Sequence, residues 1–403
     1  DDRLTFSCQC HLGEQLPISY VDISSVSYAA GIGSTEEMLF GNAPSRARRK
    51  AKVGDVVIST VRTYLKAVAA VDAAHADCVY STGFAVLRSR TGHIEPNFLK
   101  WLALNELFIQ SVESHSEGLS YPAINAPELV NLKTVMPSLP EQATIAVTID
   151  RETARFDALI AKKTRFIELL KEKRQALITH AVTKGLNPKA KMKASGVEWI
   201  GEVPEHWVAI KFNHVARVTE GLVDPKAHPY REMVLIAPNH IESGTGKILG
   251  LETAVFQNAE SGKYTCKKGA VIYSKIRPAL AKVAIAPCDC LCSADMYPMD
   301  CTDRTYPEWL FYLMLSPPFT SWAILESDRV AMPKINRESL ADLRVFLPPM
   351  DEQLAAVAWL KAQVEKLEIV SLKTQHSIDL LKERRAAFIT AAVTGQIDLR
   401  ESA

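Results

Sequence analysis

The chain has 403 residues, 47% hydrophobic and 23% charged, with a net charge of +1 at neutral pH. That composition is ordinary for a soluble globular protein, the near-zero net charge excludes a uniformly basic polyanion binder, and the length accommodates about two to four domains with real cores. No run of about 18 apolar residues is present, so no membrane span is expected, and Asp1-Asp2-Arg3 is read as carrying no secretory signal.

In chain order, the first pronounced feature is Arg46-Ala-Arg-Arg-Lys-Ala-Lys52, five cations in seven residues. Arg and Lys neutralise phosphates, and Arg can grip guanine with two bonds. Arg46, Arg48, Arg49, Lys50 and Lys52 are therefore candidate nucleic-acid contacts, although such a run also suits a solvated surface turn. Val53–Ser59 reads as a short strand preceded by a Gly turn. It leads into Ser59-Thr-Val-Arg62, with Tyr64 and Lys66 close behind. Arg62 and Tyr64 join the candidates, beside the equally good reading of a structural Arg bonded to a carbonyl or carboxylate. Phe98–Val112 reads as an amphipathic helix.

Residues 141–184 read as one long helix without Gly or Pro. Ile145, Ile149, Phe156, Leu159, Ile160, Phe166, Ile167, Leu170, Leu177 and Ala181 fall at three-and-four spacing, one stripe of a heptad pattern. Ser138-Leu-Pro-Glu141 has the shape of a capping box, and Gly185 and Pro188 stop the helix. At about 1.5 Å per residue the rod would be about 65 Å long. Residues 141–195 carry twelve Lys/Arg against six Asp/Glu, whereas residues 1–137 carry twelve against fourteen, so a polyanion would be met through patches.

A basic, polar connector, Leu186–Gly196, precedes Val197-Glu-Trp-Ile-Gly-Glu-Val-Pro-Glu-His-Trp207, a preface without a counterpart ahead of the first half. Gly244-Thr-Gly-Lys247 lacks the flanking residues of a phosphate-binding loop and reads as a hairpin turn. Lys263, Lys267 and Lys268 stand where the basic run stands in the first half. Lys268–Ser274 repeats the strand after a Gly turn and leads into Ser274-Lys-Ile-Arg277-Pro, which adds Lys275 and Arg277 to the candidates. Cys288-Asp-Cys-Leu-Cys292 has the period-2 spacing of strand cysteines rather than the spacing of a zinc site. The other cysteines, Cys8, Cys10, Cys78, Cys266 and Cys301, form no regular pairing, which fits a reducing cytosol. Pro307–Leu315 reads as a helix. Ser316-Pro-Pro-Phe319 after it resembles the loop of amino-group DNA methyltransferases, but no Gly-rich cofactor loop precedes it.

A second long helix carries Leu360, Leu367, Val370, Ile378, Leu381 and Phe388 on a matching stripe and stops at Gly395. Lys163 and Thr374 interrupt the two seams, as polar residues that set register do. The two long helices end alike. IELLKEKRQALITHAVT at 167–183 returns as IDLLKERRAAFITAAVT at 378–394, identical at 12 of 17 positions and 211 residues further on. Glu141-Gln142 returns as Glu352-Gln353, and Pro122-Ala-Ile-Asn125 as Pro333-Lys-Ile-Asn336, at that same offset. This is a tandem duplication of nearly the whole chain, with a period far longer than the roughly 20–50 residues of a solenoid. The expected fold is α/β (α+β): two similar domains joined by two long antiparallel helices that form a coiled-coil spacer with pseudo-twofold symmetry. Packing of each helix on its own domain is the simpler reading. Ile149, Phe156, Ile160, Ile167, Leu170, Leu177, Leu360, Leu367, Ile378, Leu381 and Phe388 are the candidate helix-pairing and docking residues.

Three motifs occur twice, the Pro-x-x-x-Glu-Gln start of each long helix, the shared helix end and the Ser-x-x-Arg strand exit, and a fourth, the GVEWIGEVPEHW preface, stands before the second half. Together they resemble the DNA-specificity subunit of a type I restriction–modification system, over essentially the whole chain. The resemblance implies target-recognition domains at 1–137 and 211–347, spacer helices at 138–185 and 348–403 (the latter with the C-terminal tail), and a connector at 186–210. It implies that each domain reads half of a bipartite site in double-stranded DNA, that two methyltransferase (modification) subunits dock on the helices, and that restriction/translocase subunits join them. It further implies a non-catalytic, cytoplasmic chain with no cofactor of its own, S-adenosylmethionine, ATP and Mg being held by partner subunits. Residues shared by both halves, such as Lys171-Glu-Lys-Arg174 and Lys382-Glu-Arg-Arg385, cannot distinguish two different half-sites and are expected to pack or dock. The alternatives are the specificity subunit of a type II-like fused nuclease/methylase system and a coiled-coil scaffold without a DNA role.

Overall fold

The computed structural model describes residues 13–28, 31–197, 200–327 and 333–399. Cys8, Cys10 and Glu198-Trp199 of the preface lie outside them. The chain is a mixed helix-and-sheet protein that divides into two compact units. The first comprises the described residues up to Thr164 with those from Gln375 on; the second is Arg165–Thr374.

In the first unit, strands β1 (Pro17–Val21), β2 (Val26–Ser27), β3 (Gly31–Ile32), β4 (Glu36–Leu39), β5 (Ala47–Lys50), β6 (Val56–Ser59), β7 (Val68–Ala70), β8 (Val79–Ser81) and β9 (Phe84–Leu87) precede helices α1 (Pro96–Ala103), α2 (Glu106–Ser114) and α3 (Ala126–Asn131). The strands form a four-stranded sheet in the order β4-β1-β8-β5, a three-stranded sheet β7-β6-β9 and the ribbon β2-β3. All four residues of β6, VVIS, are buried, which is the continuous apolar pattern of a central strand covered on both faces. The single helix expected over Phe98–Val112 is two helices, because Asn105 starts a new one by accepting the N–H of Leu107 at 2.9 Å.

Helix α4 (Leu139–Lys184) is the first long rod and runs out of the first unit into the second. Its start is half of a capping box: the Glu141 carboxylate accepts the Ser138 N–H at 3.0 Å and the Ser138 hydroxyl at 2.8 Å.

The second unit contains β10 (Met192–Ala194), β11 (Glu202–Pro204), β12 (Val208–Lys211), β13 (Ala216–Val218), β14 (Leu235–Ile236), β15 (Tyr264–Cys266), β16 (Val271–Ser274), β17 (Val283–Ile285), β18 (Cys290–Cys292) and β19 (Met296–Cys301). Helices α5 (Pro307–Leu315), α6 (Pro317–Ser327) and α7 (Arg337–Asp342), strand β20 (Arg344–Leu347) and the second rod, α8 (Met350–Val393), follow. Its sheets run β14-β18-β15 and β13-β19-β16-β17. The first repeats β1-β8-β5 and the second repeats β9-β6-β7, so the duplication extends to topology. The connector is not wholly a loop, since β10 pairs antiparallel with β11. Gly244 and Gly246, both at positive φ, make the expected turn between bridged Ile241 and Ile248. Ser316-Pro-Pro-Phe319 is the start of α6, with Phe319 buried in the core rather than displayed in a loop.

Within each unit the two rods run antiparallel. In the first, Ala146 and Ile149 of α4 share a core with Ile389, Ala392 and Val393 of α8 over Phe98, Trp101 and Leu102 of α1. Phe156 meets Phe388 at 6.4 Å, and Asp157 pairs with Arg385 at 2.9 Å. In the second, Ile178, Ala181 and Val182 share a core with Val357 and Leu360 over Trp309 and Leu310 of α5. Ile149, Ile167, Leu360 and Ile378 are buried; Phe156, Ile160, Leu170, Leu177, Leu367, Leu381 and Phe388 are half-buried. Thr374 is buried and returns its hydroxyl to the Val370 carbonyl at 2.8 Å. Leu159, Phe166 and Val370 are exposed, contrary to their expected place on the stripe. At 3.6 residues per turn a straight helix drifts off a 3.5-residue seam, and these positions rotate away from it.

Candidate nucleic-acid interface

The duplicated Glu-Gln motif turns out to be structural. The Gln142 side chain accepts the Glu95 N–H at 2.8 Å and donates to the carbonyls of Pro137 at 2.9 Å and His93 at 3.2 Å. Gln353 accepts the Tyr306 N–H at 2.8 Å and donates to the carbonyls of Pro348 and Arg304, both at 2.9 Å. Both glutamines are buried, so each amide fastens the start of a rod to the segment leading into α1 or α5.

The Ser-x-x-Arg motif is of another kind. In each unit it is the loop that leaves the central strand, β6 or β16. The Ser59 hydroxyl donates to the Val61 carbonyl and the Ser274 hydroxyl to the Ile276 carbonyl. Arg62 then takes φ 52° and ψ 48°, and Arg277 takes φ 48° and ψ 59°, both in the left-handed region. A short 3-10 turn follows, and a second left-handed residue closes it, Lys66 or Ala281. Among the described residues, four of the five non-glycine residues at positive φ belong to these two loops. Each costs about 1–2 kcal/mol relative to ordinary backbone, and such strain concentrates where function requires a fixed geometry. The repeated Pro-x-Ile-Asn motif holds the loops from the side: Val61 bridges Ala123, Ile276 bridges Lys334, and the Arg277 N–H donates to the Pro333 carbonyl at 3.0 Å. Two motifs about 60 residues apart in sequence thus meet in each unit.

The two arginines lie 215 residues apart, not 211, so these strands are offset from the helices that share the duplication. Both are exposed. The Arg62 guanidinium lies 4.7 Å from the ring centre of Tyr121, which is itself exposed, as is Tyr64. Lys66 pairs with Glu106 at 2.6 Å, and that bond pushes its pKa upward. Tyr121 was missed in the sequence; its only signal there is its place just before Pro122.

The basic run Arg46–Lys52 is not an open cationic loop. Most of it is strand β5, at one edge of the four-stranded sheet, and its cations are largely engaged. Arg46 pairs with Asp22 at 3.1 Å and donates to the Tyr20 hydroxyl at 3.1 Å. Arg48 donates to the Ala47 carbonyl and stacks 4.5 Å from the Phe40 ring centre. Arg49 donates to the Thr82 carbonyl at 3.3 Å, and burial lowers its pKa. Lys50 donates to the Asp77 carbonyl at 2.7 Å. The Lys52 side chain is exposed. In the second unit Lys267 and Lys268 are exposed, whereas Lys263 is buried with its ammonium bonded to the Ser261 carbonyl and hydroxyl at 2.6 and 2.7 Å. Desolvation lowers the Lys263 pKa, and its internal bonds remove it from the set of free contacts. Lys275 is half-buried, 5.4 Å from the Tyr297 ring centre.

Arg174, on the shared helix end, donates to the carbonyls of Gly244 at 2.7 Å and Thr245 at 2.9 Å, so the Gly-Thr-Gly-Lys turn is fastened to α4. Of the three cysteines read as strand residues, Cys290 and Cys292 lie in β18, with Cys290 opposite Cys266 of β15 in the core, whereas Cys288 precedes the strand. No group of three or more His, Cys, Asp or Glu suited to a metal occurs among the described residues. No helix there is long and apolar enough to cross a membrane.

A family profile, the type I restriction modification DNA specificity domain, matches residues 204–380. The Type I restriction enzyme EcoDI specificity subunit of Escherichia coli is 30% identical over 328 residues, covering 76% of this chain and 72% of that protein. The chain belongs to the type I restriction enzyme specificity subunits. It is a DNA-specificity subunit, and its role is recognition rather than catalysis. A second relative, the MjaVIII specificity subunit of Methanocaldococcus jannaschii, is 25% identical over 316 residues, covering 74% of this chain and 69% of that one. Among solved structures, one described as the structural basis of complex assembly and conformational transition of the type I R-M system superposes with a TM-score of 0.70 at 22% identity. It covers 95% of this chain and 93% of that one. The crystal structure of the HsdS subunit from Thermoanaerobacter tengcongensis superposes with a TM-score of 0.51 at 22% identity, over 95% and 92% of the two chains. At that identity both matches speak for the fold of a specificity subunit.

Proposed function

We propose that each unit reads one half of a bipartite DNA site and that α4 and α8 form a coiled-coil spacer that sets the distance between the halves. The observation that carries this reading is the duplication itself: two units of one topology, each with the same strained arginine loop and the same glutamine anchor on a long rod. Two related but diverged readers on one chain suit an asymmetric site. Distance along B-DNA also sets rotation, at about 34–36 Å per turn, so a rod of fixed length selects a fixed spacer.

Two methyltransferase subunits dock on the rods, and restriction/translocase subunits join them. Exposed apolar side chains on the rods within the second unit, Phe166, Leu169, Ile369 and Leu372, supply the kind of surface such docking needs. S-adenosylmethionine, ATP and Mg belong to the partner subunits. The assembly works in the cytoplasm, where the DNA is. Sequencing the methylated positions in DNA from cells that carry this chain with its modification subunits tests the reading. A split motif with a constant gap is expected; a continuous or palindromic motif would overturn it.

A further inference from the structure

The two loops that leave β6 and β16 have diverged at most positions yet agree at three. Ser59-Thr-Val-Arg-Thr-Tyr-Leu-Lys66 and Ser274-Lys-Ile-Arg-Pro-Ala-Leu-Ala281 share Ser, Arg and Leu. The serine is explained internally, since its hydroxyl closes the turn in both units. The arginine and the leucine are not. Arg62 and Arg277 are exposed, and Leu65 and Leu280 stand 45% and 40% exposed, although apolar side chains favour burial. Glycine would hold the arginine position with less strain, so the internal structure alone would favour it. A strained cation and a partly exposed leucine, kept together in both copies, point outward to a common ligand.

We propose that Arg62 with Leu65, and Arg277 with Leu280, are matching grips on the sugar–phosphate backbone of duplex DNA, one in each unit. The inference rests on the DNA-reading role proposed above. The guanidinium meets a phosphate, and the leucine packs on the apolar face of a neighbouring deoxyribose. A feature identical in two units that read different bases carries no sequence information; it positions each unit so that other side chains can read. The left-handed backbone aims the arginine, and in the first unit its guanidinium lies over the Tyr121 ring.

The test uses the full chain assembled with its modification subunits, bound to the duplex that its own methylation pattern identifies, as salt is varied. Arg62→Ala and Arg277→Ala should each weaken binding about tenfold near 0.1 M salt and lower the log–log salt slope by about 0.9, the value of one lost phosphate contact. The methylated sequence should stay the same. Arg62→Lys should keep the slope. Arg62→Gly should weaken binding as alanine does while raising the melting temperature, because glycine relieves the strain. Altered bases in one half of the methylated motif would make the arginine a base reader and overturn the proposal. So would an unchanged slope, or loss of modification-subunit association with DNA affinity per complex intact. If the unaltered assembly methylates no defined sequence, it is the DNA-reading role itself that falls, whatever the arginine variants do.

Discussion

Gln142 and Gln353 each join three backbone groups in a dry site, so their removal is more disruptive than loss of an ordinary surface amide. Gln353→Ala strands the Tyr306 N–H and two carbonyls, and we expect a loss of about 2–4 kcal/mol in urea unfolding, with Gln142→Ala behaving alike. Arg174→Ala should loosen the Gly244–Thr245 turn, read as faster amide exchange there. The Cys290 thiol is pushed far up in pKa by its hydrogen bond with Cys266 and by burial. The folded state therefore keeps a proton that the unfolded chain releases above about pH 8.5, so alkaline pH favours unfolding. The urea midpoint should fall above that pH in the unaltered chain and fall less in Cys290→Ala. At this scale the sequence was half legible. The Glu-Gln and Ser-x-x-Arg repeats were visible, but not that one is an internal anchor and the other an exposed strained loop. Nothing in the residue type Arg announces a left-handed backbone. The internal partners of the run Arg46–Lys52, namely Asp22, Tyr20, Asp77 and Thr82, were not legible because they arrive only through sheet pairing.

Among the elements, the long rods were the most legible, because apolar spacing at three and four residues is a local signal that tertiary contacts seldom reverse. The break at Asn105 was not, since a capped restart preserves the apolar rhythm. Depth along the rods is uneven, which separates two roles. Leu360 is fully buried, and Leu360→Asp should destabilise the second unit by more than about 4 kcal/mol. Leu372 is 71% exposed, so Leu372→Glu should change stability by no more than about 0.5 kcal/mol while weakening association with the modification subunits. Sedimentation of the mixed subunits, beside a melting curve of the chain alone, checks both.

For the molecule as a whole, rod length and recognition should be separable. Inserting or deleting one heptad in both rods keeps the apolar stripes in phase. The methylated motif should then keep the bases of each half and change only the gap between them, as read by sequencing of methylated DNA. A change in the half-sites themselves would mean that the rods help to read.

The interleaving of the chain has a consequence for synthesis. The second unit is one unbroken stretch, Arg165–Thr374, whereas the first is closed by Ile389, Ala392, Val393 and Leu399 against Phe98, Trp101 and Leu102. Chains are made from the N-terminus, and domains tend to fold as they emerge from the ribosome. The half translated first must therefore wait with an open seam until the half translated later has already been made, so a nascent chain released at Thr374 would carry a complete second unit and an unsealed first one, a natural target for chaperones.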